Sequence, residues 1–105
     1  MKPSSDREAI TLIIEGLIER GVTPTLCRDG DSQDTPFTDV DSAVDWLTSC
    51  DESVLFVDLP EPDPASGIGS SYVYFVLGND PEEVACDFGV SMSPYLDPII
   101  DPWWK

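Results

Sequence analysis

The alternation of apolar and polar residues between positions 72 and 90 predicts a β-hairpin. The first run, residues 72–77, is aromatic and β-branched and is apolar on both faces. Six turn-forming residues, 78–83, lead into residues 84–90, which alternate strictly. The large side chains of this second run fall on one side: Val84, Cys86, Phe88 and Val90. The alternative is a helix that Asp80 caps and Pro81 begins, but the alternation favours a strand.

Two amphipathic patterns predict helices. Over residues 5–20, apolar residues recur at the i, i+3, i+4, i+7 and i+8 positions of one helix face, and Ser5-x-x-Glu8 has the form of a capping box. A second helix, over residues 39–49, is expected to begin at the Thr38-x-x-Asp41 pattern. Gly16, inside the first helix, is expected to allow a close approach to the sheet.

The remaining patterns complete an α+β fold. Residues 53–59 predict a strand that is apolar on both faces, so the predicted sheet is a three-stranded antiparallel β-meander with two helices packed on it. Residues 22–28 are the candidate for a fourth short strand, which Pro24 would confine to an edge or a strand start. A Pro-rich C-terminal tail, residues 93–104, is expected to press onto the sheet and close its open face. Together these elements predict a single acidic domain over residues 1–105.

Four aromatic residues are candidates for the core. Phe75 and Phe88 are both expected to be buried, with the apolar side of the last strand facing the helices. Trp103 and Trp104 are expected to cap the core of the domain rather than to anchor a partner, and to differ in exposure.

The charge is the feature that a generic soluble domain does not explain. The chain has 21 acidic and five basic residues, a formal charge of −16, against a magnitude of about 2 to 8 that suits a small soluble domain. Residues 29–104 hold 17 of the acids and no Lys or Arg, so these carboxylates are expected to have almost no salt-bridge partners within the chain. Direct binding to nucleic acid or to an anionic membrane is not expected.

Catalytic and metal-binding patterns are weak. The chain has no histidine, which excludes triads and imidazole bases, and neither an enzyme nor a cofactor is expected. Residues 29–34 resemble a calcium loop superficially, but Asp34 and Val40 stand where an EF-hand requires Gly and Glu, so a solvated acidic loop is favoured and no metal is expected. Three cysteines without metal spacing predict reduced, partly buried thiols in a cytoplasmic protein: Cys27, Cys50 and Cys86.

The acidic excess favours a binding function. The hypothesis is a non-enzymatic acidic inhibitor that occupies the basic or nucleic-acid-binding surface of a partner enzyme, as a DNA mimic would. Phage anti-defence and toxin-immunity proteins share this profile, which is an analogy of composition alone. The alternatives are an accessory domain of a salt-adapted organism and a calcium-dependent or enzymatic protein that uses residues 29–34. The predicted partner-binding residues are Asp39, Asp41, Asp45, Asp51, Glu52, Glu82 and Glu83.

Overall fold

The computed structural model describes residues 2–30 and 33–104. Its strands are β1 (Thr23–Asp29), β2 (Asp34–Pro36), β3 (Glu52–Asp58), β4 (Ser70–Val76) and β5 (Ala85–Phe88). They form one antiparallel sheet in the order β2-β1-β3-β4-β5. The α-helices are α1 (Asp6–Glu19), α2 (Val40–Leu47) and α3 (Ser93–Ile100), and 3-10 turns cover Pro81–Glu83, Val90–Met92 and Asp101–Trp104. The α+β class is therefore confirmed, but the predicted numbers of elements are wrong, because the described residues form five strands and three α-helices, the third of them within the Pro-rich tail.

All three helices pack on one face of the sheet. The odd-numbered side chains of β3 and β4 point towards them, and Leu55, Val57, Val73 and Phe75 are buried there. Helix α1 contributes Ile10, Ile13, Ile14 and Leu17 of its predicted apolar stripe, whereas the last residue of that stripe, Ile18, is exposed. Leu96 and Trp103 from the C-terminal segment enter the same core. The buried Ser53 hydroxyl donates to the Leu47 carbonyl oxygen at 2.8 Å and ties the end of α2 to the start of β3.

The start of α1 departs slightly from a full capping box. The Ser5 hydroxyl accepts a hydrogen bond from the backbone N–H of Glu8 at 3.1 Å, as the pattern predicts. The Glu8 carboxylate, however, accepts from the backbone N–H of Ser4 at 2.9 Å rather than from that of Ser5. The hydrogen bond from the Glu8 side chain back to the backbone is thus shifted by one residue towards the N-terminus. The side chains of Ser5 and Glu8 both still accept backbone N–H groups at the helix start.

Strand β2 is the strand that the sequence patterns miss. Its three residues carry no alternating apolar pattern, and its position depends on pairing with β1, where Asp34 lies opposite Arg28. The Arg28 guanidinium donates to both carboxylate oxygens of Asp34, at 2.7 and 3.1 Å. Strand β2 pairs with residues 26–28 of β1 and does not reach Pro24. The missing N–H of Pro24 therefore removes no hydrogen bond between β1 and β2.

A β-bulge changes the facing of β5. Phe75 lies opposite Ala85 and Tyr74 lies opposite Asp87, so Cys86 is an additional residue that breaks the alternation. The predicted inward facing of Cys86 is therefore wrong, and so is that of Val90, which lies beyond β5 in the 3-10 turn Val90–Met92. Cys86 is exposed and Val90 is 90% exposed. The hairpin itself is present, and its connection contains the 3-10 turn that begins at Pro81.

The two phenylalanines of the hairpin differ in burial. Phe75 is fully buried, as predicted, whereas Phe88 is half-buried at the margin of the core. Phe88 lies opposite Val73 on the helix-covered face, so the facing of the ring agrees with the prediction although its burial does not.

The C-terminal tail packs beside α1 and leaves the other face of the sheet open. A Cβ atom added to Gly16 would lie 2.7 Å from the Ile99 Cδ1 atom, so Gly16 allows close approach to α3 and not, as expected, to the sheet. Trp103 is 5% exposed and belongs to the core. The expected contrast with Trp104 concerns a side chain outside the described part of the structure.

Replacing Phe75 with Ala should lower the free energy of unfolding by about 3–5 kcal/mol, the usual effect of emptying a core aromatic site. Phe88→Ala should lower it by roughly 1–3 kcal/mol, because a half-buried ring removes less apolar surface from water. Urea titration of both variants measures the difference, and Val90→Ala serves as the exposed control. Equal losses for the two phenylalanines would contradict the half-burial of Phe88.

Deleting residues 97–105 should destabilise the domain, because the deletion removes Trp103 from the core together with the contact of Ile99 at Gly16. The loss should reach at least the roughly 3–5 kcal/mol typical of one buried Trp side chain. Thermal melting of the truncated chain tests this. A melting temperature equal to that of the full chain would show that the tail is not part of the core.

Candidate functional site

The first predicted acidic set lies on α2. Asp39 is the N-cap residue, since its Oδ1 accepts from the Ser42 backbone N–H at 2.8 Å and its Oδ2 accepts from the Ser42 hydroxyl at 3.1 Å. These hydrogen bonds, the backbone one foremost, hold the pKa of Asp39 below its ordinary value. The cap is therefore one residue later than the predicted Thr38. Asp41 and Asp45 are exposed, as expected.

The second predicted set lies around the 3-10 turn at residues 81–83. Glu83 is exposed. Glu82 is more enclosed, with a side chain that is 14% exposed and an Oε1 atom 3.5 Å from the Lys2 Nζ. Glu52 is the first residue of β3 and Asp51 precedes it. The Asp51 carbonyl oxygen accepts from the backbone N–H of Leu77, at the end of β4 that leads into the turn, at 2.8 Å.

The first turn of α1 joins the two sets. On one side, the Arg7 Nη2 atom lies 2.6 Å from the Asp45 Oδ1 atom. On the other side, the Asp6 Oδ2 atom accepts from the Gly78 backbone N–H at 3.1 Å, just before the 3-10 turn. The structure therefore brings the α2 acids and the turn acids to the same end of the molecule, with α1 between them.

Three carboxylates have partners that the sequence did not suggest. Between described residues, ion pairs join Lys2 to Glu82, Arg7 to Asp45 and Arg28 to Asp34. The first two pairs link residues that are far apart in sequence, which is why local spacing gave no indication of them. All three lie at least partly in solvent, where such pairs contribute little to stability. They leave the surface strongly acidic.

The opposite face of the sheet carries an apolar band that the predicted site did not include. The even-numbered side chains of β3 and β4 point away from the helices, and β1 aligns Leu26 with Phe56 and Arg28 with Val54 on that side. No helix of the described residues covers it, and the molecule measures 35 × 35 × 20 Å, the shape of one helix layer on one sheet layer. We call this surface the open face and define its apolar band as Leu26, Val54, Phe56, Tyr72, Tyr74 and Val76.

Charged groups contact the aromatic rings of the open face. The Arg28 guanidinium carbon lies 5.0 Å from the centroid of the Phe56 ring, within the range of a cation–π contact. The Tyr72 hydroxyl lies 3.5 Å from the Asp87 Oδ2 atom. Partial desolvation and then the neighbouring Glu52 carboxylate raise the pKa of Tyr74 above its ordinary value.

The sequence did carry a signal for this face. Residues 53–59 and 72–77 are apolar on both sides, which in a sheet with a single helix layer means that one side meets solvent. The error was the expectation that the C-terminal tail would cover the second side. The tail packs on α1 instead, so the apolar band remains accessible.

Two cavities are lined by described residues. One of about 230 Å³ is lined by Cys27, Thr38, Ser42 and Trp46 among others. Burial raises the pKa of Cys27 to about 11, so its thiol is protonated and weakly nucleophilic at neutral pH. A second cavity, of about 270 Å³, lies between α1 and the C-terminal segment and includes Trp103.

Metal ligands are not grouped in the described part of the chain. Residues 2–30 and 33–104 contain no cluster of three or more His, Cys, Asp or Glu side chains arranged to hold a metal ion. The calcium hypothesis depends in part on Asp31, which lies outside the described residues. Asp34, at the other end of that segment, is engaged by Arg28. Within the same described ranges, no helix is both long and apolar enough to cross a membrane.

Comparison with known proteins gives no relative. No family model, curated protein or solved structure matches this chain. Any function must therefore be argued from its own surfaces.

Replacing Asp39 with Ala should lower the melting temperature at pH 7, because α2 loses its N-cap. Asp39→Asn should retain most of the stability, since Asn also caps well. The pKa of Asp39 is depressed in the folded state, so the advantage of the wild type over Asn is present above the ordinary carboxyl pKa of about 4 and is lost as the pH falls through the lower folded value. Thermal melts from pH 7 to about pH 2 test both points, and an Ala variant as stable as the wild type would contradict the cap.

Proposed function

We propose that the protein is a non-enzymatic acidic inhibitor that binds the basic or nucleic-acid-binding surface of a partner protein. The observation that carries the proposal is the formal charge of −16 on a chain of 105 residues. So large an excess lowers stability through self-repulsion. It also attracts a basic surface from a distance and accelerates the encounter. A surface evolved to receive phosphates is the kind of partner that gains most from such a field.

The positions of the carboxylates support the proposal further. Asp41 lies in the first turn of α2, Glu52 is the first residue of β3, and Glu83 is the last residue of its 3-10 turn. Acids fixed by regular structure lose little conformational freedom on binding, whereas acids on a flexible loop must first be ordered. The end of the molecule next to the first turn of α1 therefore presents carboxylates at defined positions.

The two ion-paired acids have a different role in this proposal. Asp45 and Glu82 are neutralised within the chain by Arg7 and Lys2. A Lys or Arg of the partner would have to displace these cations or share the carboxylates with them. Asp39 is engaged in capping α2. Among the seven predicted residues, Asp41, Asp51, Glu52 and Glu83 are therefore the ones expected to contribute most to binding.

The double variant Asp41→Lys/Glu83→Lys should weaken binding of the partner by at least tenfold, because like charges across an interface repel. The matched control is Glu19→Lys/Glu61→Lys, which has the same net charge. Glu19 ends α1, and Glu61 follows β3 at the opposite end from Glu52. The partner is first isolated from host lysate on the immobilised protein. Calorimetry then gives affinities at about 0.05 M and 0.5 M salt, where the screening lengths are about 14 and 4 Å.

Affinity for the isolated partner should fall as salt rises, and nucleic acid should compete for the same surface. Equal weakening by the two double variants would assign the effect to net charge rather than to the predicted positions. Affinity that is unaffected by salt and by either variant would overturn the inhibitor proposal. An acidic surface that serves solubility, as in a salt-adapted organism, would then remain.

A further inference from the structure

The open face has a hydrophobic centre. It carries the apolar band defined above, including the rings of Phe56, Tyr72 and Tyr74, and the helix layer lies on the other side of the sheet. The residues of the band are half-buried, and contiguous apolar patches on protein surfaces are typical of interaction sites. Tyr is also favoured at the centres of protein interfaces, because its ring is apolar and its hydroxyl remains hydrated.

The margin of this band is acidic. Arg28 is the cation on the open face among the described residues, and Asp34 pairs with it through two hydrogen bonds. The other charged side chains that alternation places on this face are all carboxylates: Glu52 and Asp58 at the two ends of β3, and Asp87 on β5. The face thus has an apolar centre and a net negative margin, so the complementary surface has an apolar centre and a positive margin.

We propose that the open face binds a basic amphipathic helix of the partner protein, an inference that rests on the proposed inhibitory function. A helix is the element that already covers the other face of this sheet, and an apolar helix stripe fits a sheet face well. The acids at the two ends of β3 lie about 20 Å apart, at roughly 3.3 Å per residue. A helix of about 14 residues spans the same distance. Its flanking Lys or Arg side chains would then meet both acids.

Other occupants fit the charge less well. A second copy of the chain would bring one acidic margin against another, and each copy carries a formal charge of −16. Single-stranded nucleic acid could stack its bases on Phe56 and Tyr72, but its phosphates would face the acids at the margin. A basic helix carries positive charge, so the acidic margin attracts it and repels both a second copy and nucleic acid.

The test uses two synthetic 16-residue peptides of identical composition, made of Lys, Leu and one Trp. In the first, the apolar residues form one helical stripe, and in the second their order is scrambled. Fluorescence anisotropy gives both affinities for the wild-type protein at about 0.15 M salt. We expect the striped peptide to bind at least tenfold more tightly, and its binding to shift the backbone amide resonances of β3 and β4.

Matched variants locate the contact. Phe56→Thr/Tyr72→Thr removes two rings of the open face and should weaken the striped peptide at least tenfold. Leu12→Thr/Ile18→Thr removes two apolar side chains from α1 that are 39% and 44% exposed, and should leave the affinity unchanged. If the ring variant unfolds, the amide shifts of the wild-type protein still decide where the peptide binds.

Four outcomes would overturn the inference. They are equal affinity for the two peptides, no binding of either, tighter binding of an oligothymidylate, and a dimer in sedimentation that loses its contact in the ring variant. Equal affinity, abolished by Asp41→Lys/Glu83→Lys, would reject the open face but leave the proposed acidic inhibitor intact. The isolated partner decides the inhibitor proposal independently of the peptides.

Discussion

The coverage of the sheet on one face only is the constraint on which the rest of the structure depends. Helices α1 and α2 pack on the side of the sheet to which the odd-numbered residues of β3 and β4 point. Helix α3 packs closely against α1 because Gly16 has no side chain there. With all three helices on one side, the described chain has no helix left for the other. The apolar residues on the even-numbered side therefore meet solvent, and the tyrosines there contact acidic neighbours.

The elements with strong local patterns could be predicted from the sequence. Helix α1 has both its 3.6-residue period and its Ser5 cap within one continuous segment, and β3 and β4 are long apolar runs. Strand β2 could not be predicted, because its three residues carry no apolar period and only pairing with β1 makes them a strand. The bulge at Cys86 could not be predicted either, because the sequence continues to alternate where the backbone does not.

The candidate site divides in the same way. Exposure of Asp41 and Asp45 follows from the helical period of α2 and could be read from the sequence. The pairing of Asp45 with Arg7 depends on how α1 crosses α2, a tertiary arrangement that local spacing does not specify. The open face depends on where the C-terminal tail packs. Its apolar residues were visible in the sequence, but their exposure depends on the packing of the tail against α1, a tertiary contact that local patterns do not specify.

The two margins of the sheet have a consequence for self-assembly. Strand β2 has three residues and ends in Pro36, and β5 has four residues and a bulge at Cys86. Edge strands this short and irregular are poor templates for the addition of a further strand. The backbone route to fibrils is therefore weak at both margins. The face of the sheet can therefore remain partly apolar while its two margins resist lateral growth.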